Sequence, residues 1–174
     1  MVKLRHAEIG EAEGILEFYR DVIDSIKDSD FKPKWSDRYP NMEFIEKSIE
    51  MREMYICGEN DRIISCVVLN NRFDPEYEDI KWNIDAEPEE TLIIHTFAVN
   101  SESAGKGIGK EIFSQIKSNA LSNNLKAIRL DIIDGNVGAQ KVFEKFGFEY
   151  VDTVELFHPA VGLERFHLYE CVLK

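Results

Sequence analysis

The stretch TLIIHTFAVNSESAGKGIGKEIFSQIKSNALS, residues 91–122, decides the fold. Leu92 to Val99 is a β-prone run that ends near Asn100-Ser101. A polar elbow then leads to Gly105-Lys106-Gly107-Ile108-Gly109. Beyond it, Ile108, Ile112, Ile116 and Ala120 recur every fourth residue, and Phe113 and Leu121 widen the same apolar face. That spacing predicts an amphipathic helix with one buried side. Clustered glycines let a backbone approach a ligand without Cβ atoms in the way. The amides at a helix start point outward unpaired, in the positive end of the helix dipole, so a phosphate suits this turn.

Two phosphate-binding patterns fail on counting. A P-loop ending at Lys110 needs Gly at 104 and Ser or Thr at 111, where the chain has Ala104 and Glu111. A dinucleotide fingerprint from Gly105 or Gly107 needs Gly at 110 or 112, where the chain has Lys110 and Ile112. A glycine-rich surface turn before an ordinary amphipathic helix also remains open.

The rest of the chain alternates strands and helices. Val2 to Arg5 reads as a first strand, followed by a helix with Ile9, Ala12, Ile15, Leu16, Tyr19 and Ile23 on one face. Residues 29–39 read as a loop, and Asn41 as the cap of a second helix carrying Phe44, Ile45, Ile49 and Met51. Tyr55 to Cys57 and Ile63 to Asn70 flank the hairpin signal Gly58-Glu59-Asn60-Asp61. Arg72 to Glu90 is an acidic, irregular loop. Ala127 to Ile133 is a strand, and Asn136 caps a helix from Val137 to Phe146 that Gly147 stops. Phe148 to Leu156, a loop from His158 to Gly162, and a strand from Arg165 to Leu173 complete the chain. The order β, α, α, β, β, β, α, β, α, β, β is that of a mixed α/β fold with helices on both faces of its sheet.

At 174 residues, 44% hydrophobic and 31% charged, the chain fits one globular domain, residues 1–174. A net charge of -12 argues against nucleic-acid partners. No apolar run reaches membrane-spanning length, so no membrane partner and a cytoplasmic location are expected. Cys57, Cys66 and Cys171 lie in apolar runs without C-x-x-C spacing, as reduced core thiols do. His6, His158 and His167 show no metal-ligand spacing, so no metal is expected.

The loop Ala104-Gly105-Lys106-Gly107-Ile108-Gly109 resembles the acyl-CoA site of the GNAT N-acetyltransferase superfamily, with the family's first Gln or Arg missing. Asn136-x-x-Ala139-x-x-x-Phe143-Glu144-Lys145-x-Gly147-Phe148 is similar to a second family segment. The resemblance spans the chain and is most specific from His95 to Phe148. It implies a single-domain GNAT-like fold with a mostly antiparallel central sheet, and acetyl-CoA as cosubstrate. The loop amides from Ala104 through Lys110 would hold the pyrophosphate and Asn136 the pantetheine arm, and Phe97, Ala98, Val99, Ala139, Phe143 and Lys145 would also belong to the cofactor site.

It also implies that the Val99 amide faces the thioester carbonyl and that His95 serves as base, directly or through water. Imidazole titrates near neutrality, which suits deprotonation of an ammonium of pKa about 10. A half-buried strand histidine satisfied by a carbonyl is the plainer alternative. His95, Phe97 and Val99 share a face by period two. Glu102 is a second candidate base. Where the family has a tyrosine to protonate the leaving thiolate, the chain has Phe143, which cannot donate; Tyr150 and Tyr169 are substitutes. Trp35, Tyr39, Tyr77 and Trp82 fall in loops that flank the family's acceptor site, where they could bind an amine or merely cover small apolar clusters. The expected activity is acetyl transfer to a primary amine of a small molecule. A non-catalytic acyl-CoA sensor and a protein amino-terminal acetyltransferase are the alternatives, and the last strand could pair across a homodimer.

Overall fold

The computed structural model describes residues 2–29, 33–59, 62–158 and 161–174. Residues 30–32 of the expected loop, Asn60 and Asp61 of the expected hairpin, and Pro159 and Ala160 lie outside them. In chain order the elements are β1 (Arg5–His6), α1 (Ala12–Ile26), α2 (Met42–Glu50), β2 (Met54–Glu59), β3 (Arg62–Asn70), β4 (Thr91–Val99), α3 (Ile108–Ser122), β5 (Ala127–Ile133), α4 (Val137–Lys145), β6 (Glu149–His158) and β7 (Gly162–Val172). Strands and helices thus follow in the order expected. Short 3-10 turns occupy Ile9–Glu11, Pro75–Tyr77, Pro88–Glu90 and Ser101–Ser103.

The chain divides into two compact units. The first comprises Met1–Asp28, Trp35–Leu69 and His95–Gln115. In it β1 pairs antiparallel with β2, and β2 with β3. Its core gathers Ile15, Phe18, Tyr19 and Val22 of α1 with Ile45 and Ile49 of α2 and Met54, Ile56, Cys66 and Val68 of the strands. Asn41 starts α2, its side chain accepting the Phe44 N–H at 2.9 Å, a cap worth about 1 kcal/mol.

Three expectations shift here. The first strand is only Arg5–His6, because the backbone before it is satisfied by a side chain: the Leu4 N–H donates to Gln115 Oε1 and Gln115 Nε2 donates to the Val2 carbonyl. Ile9 sits in a 3-10 turn and is 57% exposed, so Phe18 and Val22 complete the buried face of α1 instead. Met51 lies just past the end of α2, 46% exposed.

The second unit comprises Ser29–Lys34, Asn70–Ile94 and Ile116–Lys174. The start of β4 pairs in parallel with β5, from Thr91↔Ala127 to Ile93↔Arg129. The β5–β7 and β7–β6 pairings are antiparallel. From Phe166 to Glu170 the last strand therefore has hydrogen-bonded neighbours on both sides, and within this unit β6 is the outer strand, so the body of the last strand is not the edge expected to pair across a dimer. Along α3, Ile112, Phe113, Ile116 and Ala120 are buried, whereas Leu121 is 40% exposed and lies off the apolar stripe. Gly147 follows α4 at φ +95, a left-handed stop that suits glycine.

All three cysteines are free and buried. Burial pushes the Cys57 thiol up to about 11. Alkylation of the folded chain at pH 8 is expected to run about 100-fold slower than in denaturant, where the thiolate is abundant. A thiol-reactive dye followed with and without denaturant checks this, and equal rates would contradict it.

Candidate functional site

In the first unit the candidate site lies along the end of β4 and the turn into α3. Ser65 Oγ donates to the Ala98 carbonyl at 2.7 Å, and the Asn100 N–H donates to the Ile64 carbonyl at 2.9 Å, so β3 holds the strand end. Asn100 then caps the 3-10 turn, its side chain accepting the Ser103 N–H at 3.0 Å. Glu102 stands exposed on that turn. The backbone next passes through Gly105 at φ +75 and Gly107 at φ +81. Side chains rarely adopt this region.

A Cβ built on either glycine meets nothing within 4 Å. Conformation rather than crowding inside the protein therefore requires glycine here. The Gly107 carbonyl receives the first helical bond, from the Glu111 N–H at 3.0 Å. The amides of Ile108, Gly109 and Lys110 precede that bond and have no acceptor within the helix. Ala104 to Gly107 and Lys110 are exposed. Unpaired amides, a helix N-terminus and the cations Lys106 and Lys110 together make a donor set suited to a diphosphate.

The period-two reading of β4 does not carry through. Thr96 has φ +48, which interrupts the extended backbone between His95 and Phe97. His95, Phe97 and Val99 are half-buried, and Ala98 is buried. The Thr96 carbonyl accepts from the hydroxyl of Tyr19, a fully buried residue of α1. A β-branched residue in a β-prone run announces no such turn, so the sequence carried no signal for it.

The second unit holds the other family-like segment. Asn136 is buried and caps α4, its Oδ1 accepting the Ala139 N–H at 3.3 Å. Phe143 is buried, edge-on to Phe148 at 5.4 Å, and Lys145 is exposed in the last turn of α4. Of the two alternative phenols, Tyr169 is buried, and its burial pushes the phenol up. Tyr150 is 54% exposed and begins a chain of hydrogen bonds. It reaches Thr153 Oγ1 at 2.8 Å, Thr153 reaches His167 Nδ1 at 2.7 Å, and His167 Nε2 faces Asp134 at 3.0 Å. The His167 contact holds the Asp134 carboxyl below its ordinary value, so in the neutral ring the proton sits on Nε2 and Nδ1 accepts from Thr153. Nothing in residue spacing marked this chain, because the β6–β7 register creates it.

The four loop aromatics have partners within their own units. Trp35 stands edge-on to Tyr19 at 5.7 Å, and Tyr39 lies 4.9 Å from Phe44; both are half-buried. Tyr77 is 3% exposed and donates its hydroxyl to Asp131. Trp82 packs beside Tyr77, with the Arg129 guanidinium 4.2 Å over its ring. The cation on Trp82 is thus the chain's own arginine, and Tyr77 and Trp82 fill a core cluster with Ile133, Leu156, Phe166 and Leu168. Tyr77 is too buried to present a face to an acceptor amine, and one face of the half-buried Trp82 is taken by Arg129.

Among the described residues no group of histidine, cysteine and carboxylate side chains could hold a metal ion. No helix among them is long and apolar enough to cross a membrane.

The family model described as "Acetyltransferase (GNAT) family" matches residues 20–148. Among solved structures, a GNAT-family acetyltransferase from Streptococcus agalactiae 2603 superposes with a TM-score of 0.80 at 19% identity, covering 99% of this chain and 96% of the other. The ribosomal-protein-S18-alanine N-acetyltransferase from Escherichia coli gives a TM-score of 0.68 at 11% identity, covering 100% and 95%. The yncA protein from Salmonella typhimurium, solved with its cofactor acetyl-CoA, gives 0.68 at 15% identity, covering 100% and 95%. At these identities the likeness is one of fold.

Proposed function

The chain belongs to the acetyltransferase (GNAT) family, and from that membership we propose that it moves an acetyl group from acetyl-CoA to a primary amine of a small molecule. The observation that carries the cosubstrate assignment is the turn itself. Gly105 and Gly107 both have positive φ, face open space and precede a helix start whose amides have no helical acceptor.

In this reading the amides of Ile108, Gly109 and Lys110 bind the pyrophosphate, and Lys106 and Lys110 add charge; the Ala104 and Lys106 N–H groups, expected in that set, already donate to the Ser101 and Ser103 carbonyls. The Val99 N–H stabilises the oxyanion that develops at the thioester carbonyl, a contribution of about 10² to 10³ in rate for one well-aimed donor. His95, itself or through water, takes the proton from the ammonium so that nitrogen can attack directly, without a covalent enzyme intermediate. Phe143 offers no proton to the departing thiolate. A thiol of pKa about 8.5 is a tolerable leaving group unaided, so the loss is one of rate rather than of activity. Trp35 and Tyr39 are the aromatics retained for the acceptor side. The buried Asn136, with its oxygen already engaged at Ala139, keeps its NH2 group as a donor. Residues 1–174 act as one catalytic domain in this proposal.

Gly107→Ala is expected to weaken acetyl-CoA binding about tenfold, because an L-residue in the left-handed region costs roughly 1–2 kcal/mol and the turn relaxes away from its binding shape. Calorimetry reads the change, and unchanged affinity would remove this turn from the cofactor site.

The function itself is tested by thiol release from acetyl-CoA over a panel of polyamines, arylalkylamines, amino acids, aminoglycosides and short peptides. Release with one class of small amine supports the proposal. Release only with peptides favours protein amino-terminal acetylation; the Escherichia coli neighbour is named for a protein acceptor, ribosomal-protein-S18 alanine. Binding of acetyl-CoA without release on any amine favours a sensor.

A further inference from the structure

Thr96 carries two unfavourable features that the acetyl-transfer reading alone leaves unexplained. Its φ of +48 lies in the left-handed region, where a β-branched residue is a genuine outlier. Its hydroxyl oxygen is buried with no hydrogen-bond partner, a further cost. Strain of this kind persists only where the surroundings over-determine it, and it clusters where function needs it.

The surroundings here are specific. Tyr19 is wholly buried in α1 and donates its hydroxyl to the Thr96 carbonyl at 2.8 Å. Its ring is fixed edge-on by Phe18 at 5.5 Å and by Trp35 at 5.7 Å. Beyond the kink, Ser65 on the Ala98 carbonyl and the Ile64 carbonyl on the Asn100 N–H hold the strand again. The backbone is gripped at the residue that turns left-handed and again beyond it. Burial pushes the Tyr19 phenol well above its ordinary range, so it remains a neutral donor.

We propose that Tyr19 is a positioning residue for acyl transfer, whose hydroxyl on the Thr96 carbonyl holds β4 in the left-handed turn that aims the following amides, Phe97 to Val99. The inference rests on the reading of the Val99 N–H as the oxyanion donor. With residue 96 in ordinary extended geometry, the peptide groups after it rotate out of line. A displacement of about 1 Å in such a group can cost about 10²-fold in rate. Tyr19 is buried away from any ligand and acts only through the strand.

Three variants test this: Tyr19→Phe, which keeps the ring packing, Thr96→Gly, and the double variant. Tyr19→Phe should lower kcat at least about tenfold while the Kd for acetyl-CoA stays within about twofold. In the free protein, the backbone carbon chemical shifts of Thr96 should move from the left-handed to the extended range. Glycine adopts φ +48 unaided, so adding Tyr19→Phe to Thr96→Gly should cost less than about threefold. Unchanged kcat or unchanged Thr96 shifts in Tyr19→Phe would overturn the proposal. So would a parallel loss of kcat and acetyl-CoA affinity, or a double variant as impaired as Tyr19→Phe. The chemical shifts need no substrate. A wild type inactive on every amine would therefore overturn the transferase reading and any catalytic role of the clamp, while the shifts still decide whether Tyr19 holds the kink.

Discussion

Replacing His95 by alanine is expected to lower turnover by about 10² to 10⁴, the range that general-base catalysis supplies. An aliphatic ammonium of pKa about 10 is almost wholly protonated at neutral pH, and its nitrogen cannot attack until that proton leaves. Imidazole is the side chain whose ordinary titration range matches the task. His95 is half-buried on β4, immediately before the Thr96 kink and four residues ahead of the Val99 amide. In the wild type the rate should rise with pH until the imidazole is neutral and then level off. In the variant it should keep rising, because free amine then limits attack. Acetyl-CoA affinity should be unchanged, since the turn proposed to bind it begins beyond the strand. Steady-state rates across pH with calorimetric binding at one pH give both readings. An unchanged rate and profile would remove the base from His95. A comparable loss in Glu102→Gln instead would transfer the role to the exposed turn.

The largest stability effect is expected at Glu170. Within the second unit it stands directly opposite Arg129 in the β5–β7 register. Arg129 Nε donates to Glu170 Oε1 at 2.8 Å, and the two side chains are 3% and 0% exposed. The second carboxylate oxygen accepts the Asn83 N–H at 2.8 Å, Arg129 Nη2 donates to the Ile84 carbonyl, and Trp82 stacks on the guanidinium. One buried pair thus pins the irregular segment between β3 and β4 to the strands of its own unit. Glu170→Ala leaves a buried cation without its counter-charge and should cost about 3–5 kcal/mol. For a chain of this size that corresponds to a fall in Tm of roughly 10 °C. Arg129→Met combined with Glu170→Leu should lose less than the single change, because no isolated charge remains. Denaturant unfolding measures both, and a single variant within 1 kcal/mol of wild type, roughly the worth of an exposed pair, would contradict the account.

What the sequence made legible follows from how local each signal is. The order of strands and helices, the Asn41 and Asn136 caps and the Gly147 stop rest on residues close together in the chain, and they appear as read. The cluster at Gly105 and Gly107 was legible as a place of close backbone approach, whereas the positive φ of both residues is a finding of the structure. Features made by distant partners were hidden. Gln115 replaces strand pairing for Val2 and Leu4, and Arg129 takes the face of Trp82. Tyr19 reaches a carbonyl on β4 from α1. Thr96 misled in its own right: its residue type favours the extended strand it interrupts.

The central claim is that the chain carries the acetyl group of acetyl-CoA directly to an amine. A rapid-quench single turnover, with isotope in the acetyl group and an amine identified by thiol release, tests it most directly. The account predicts label on the amine nitrogen, one coenzyme A thiol released per acetyl transferred, and no label on the protein at any time. Label that stays on tightly bound acetyl-CoA, or that passes through the protein before reaching the amine, would contradict it.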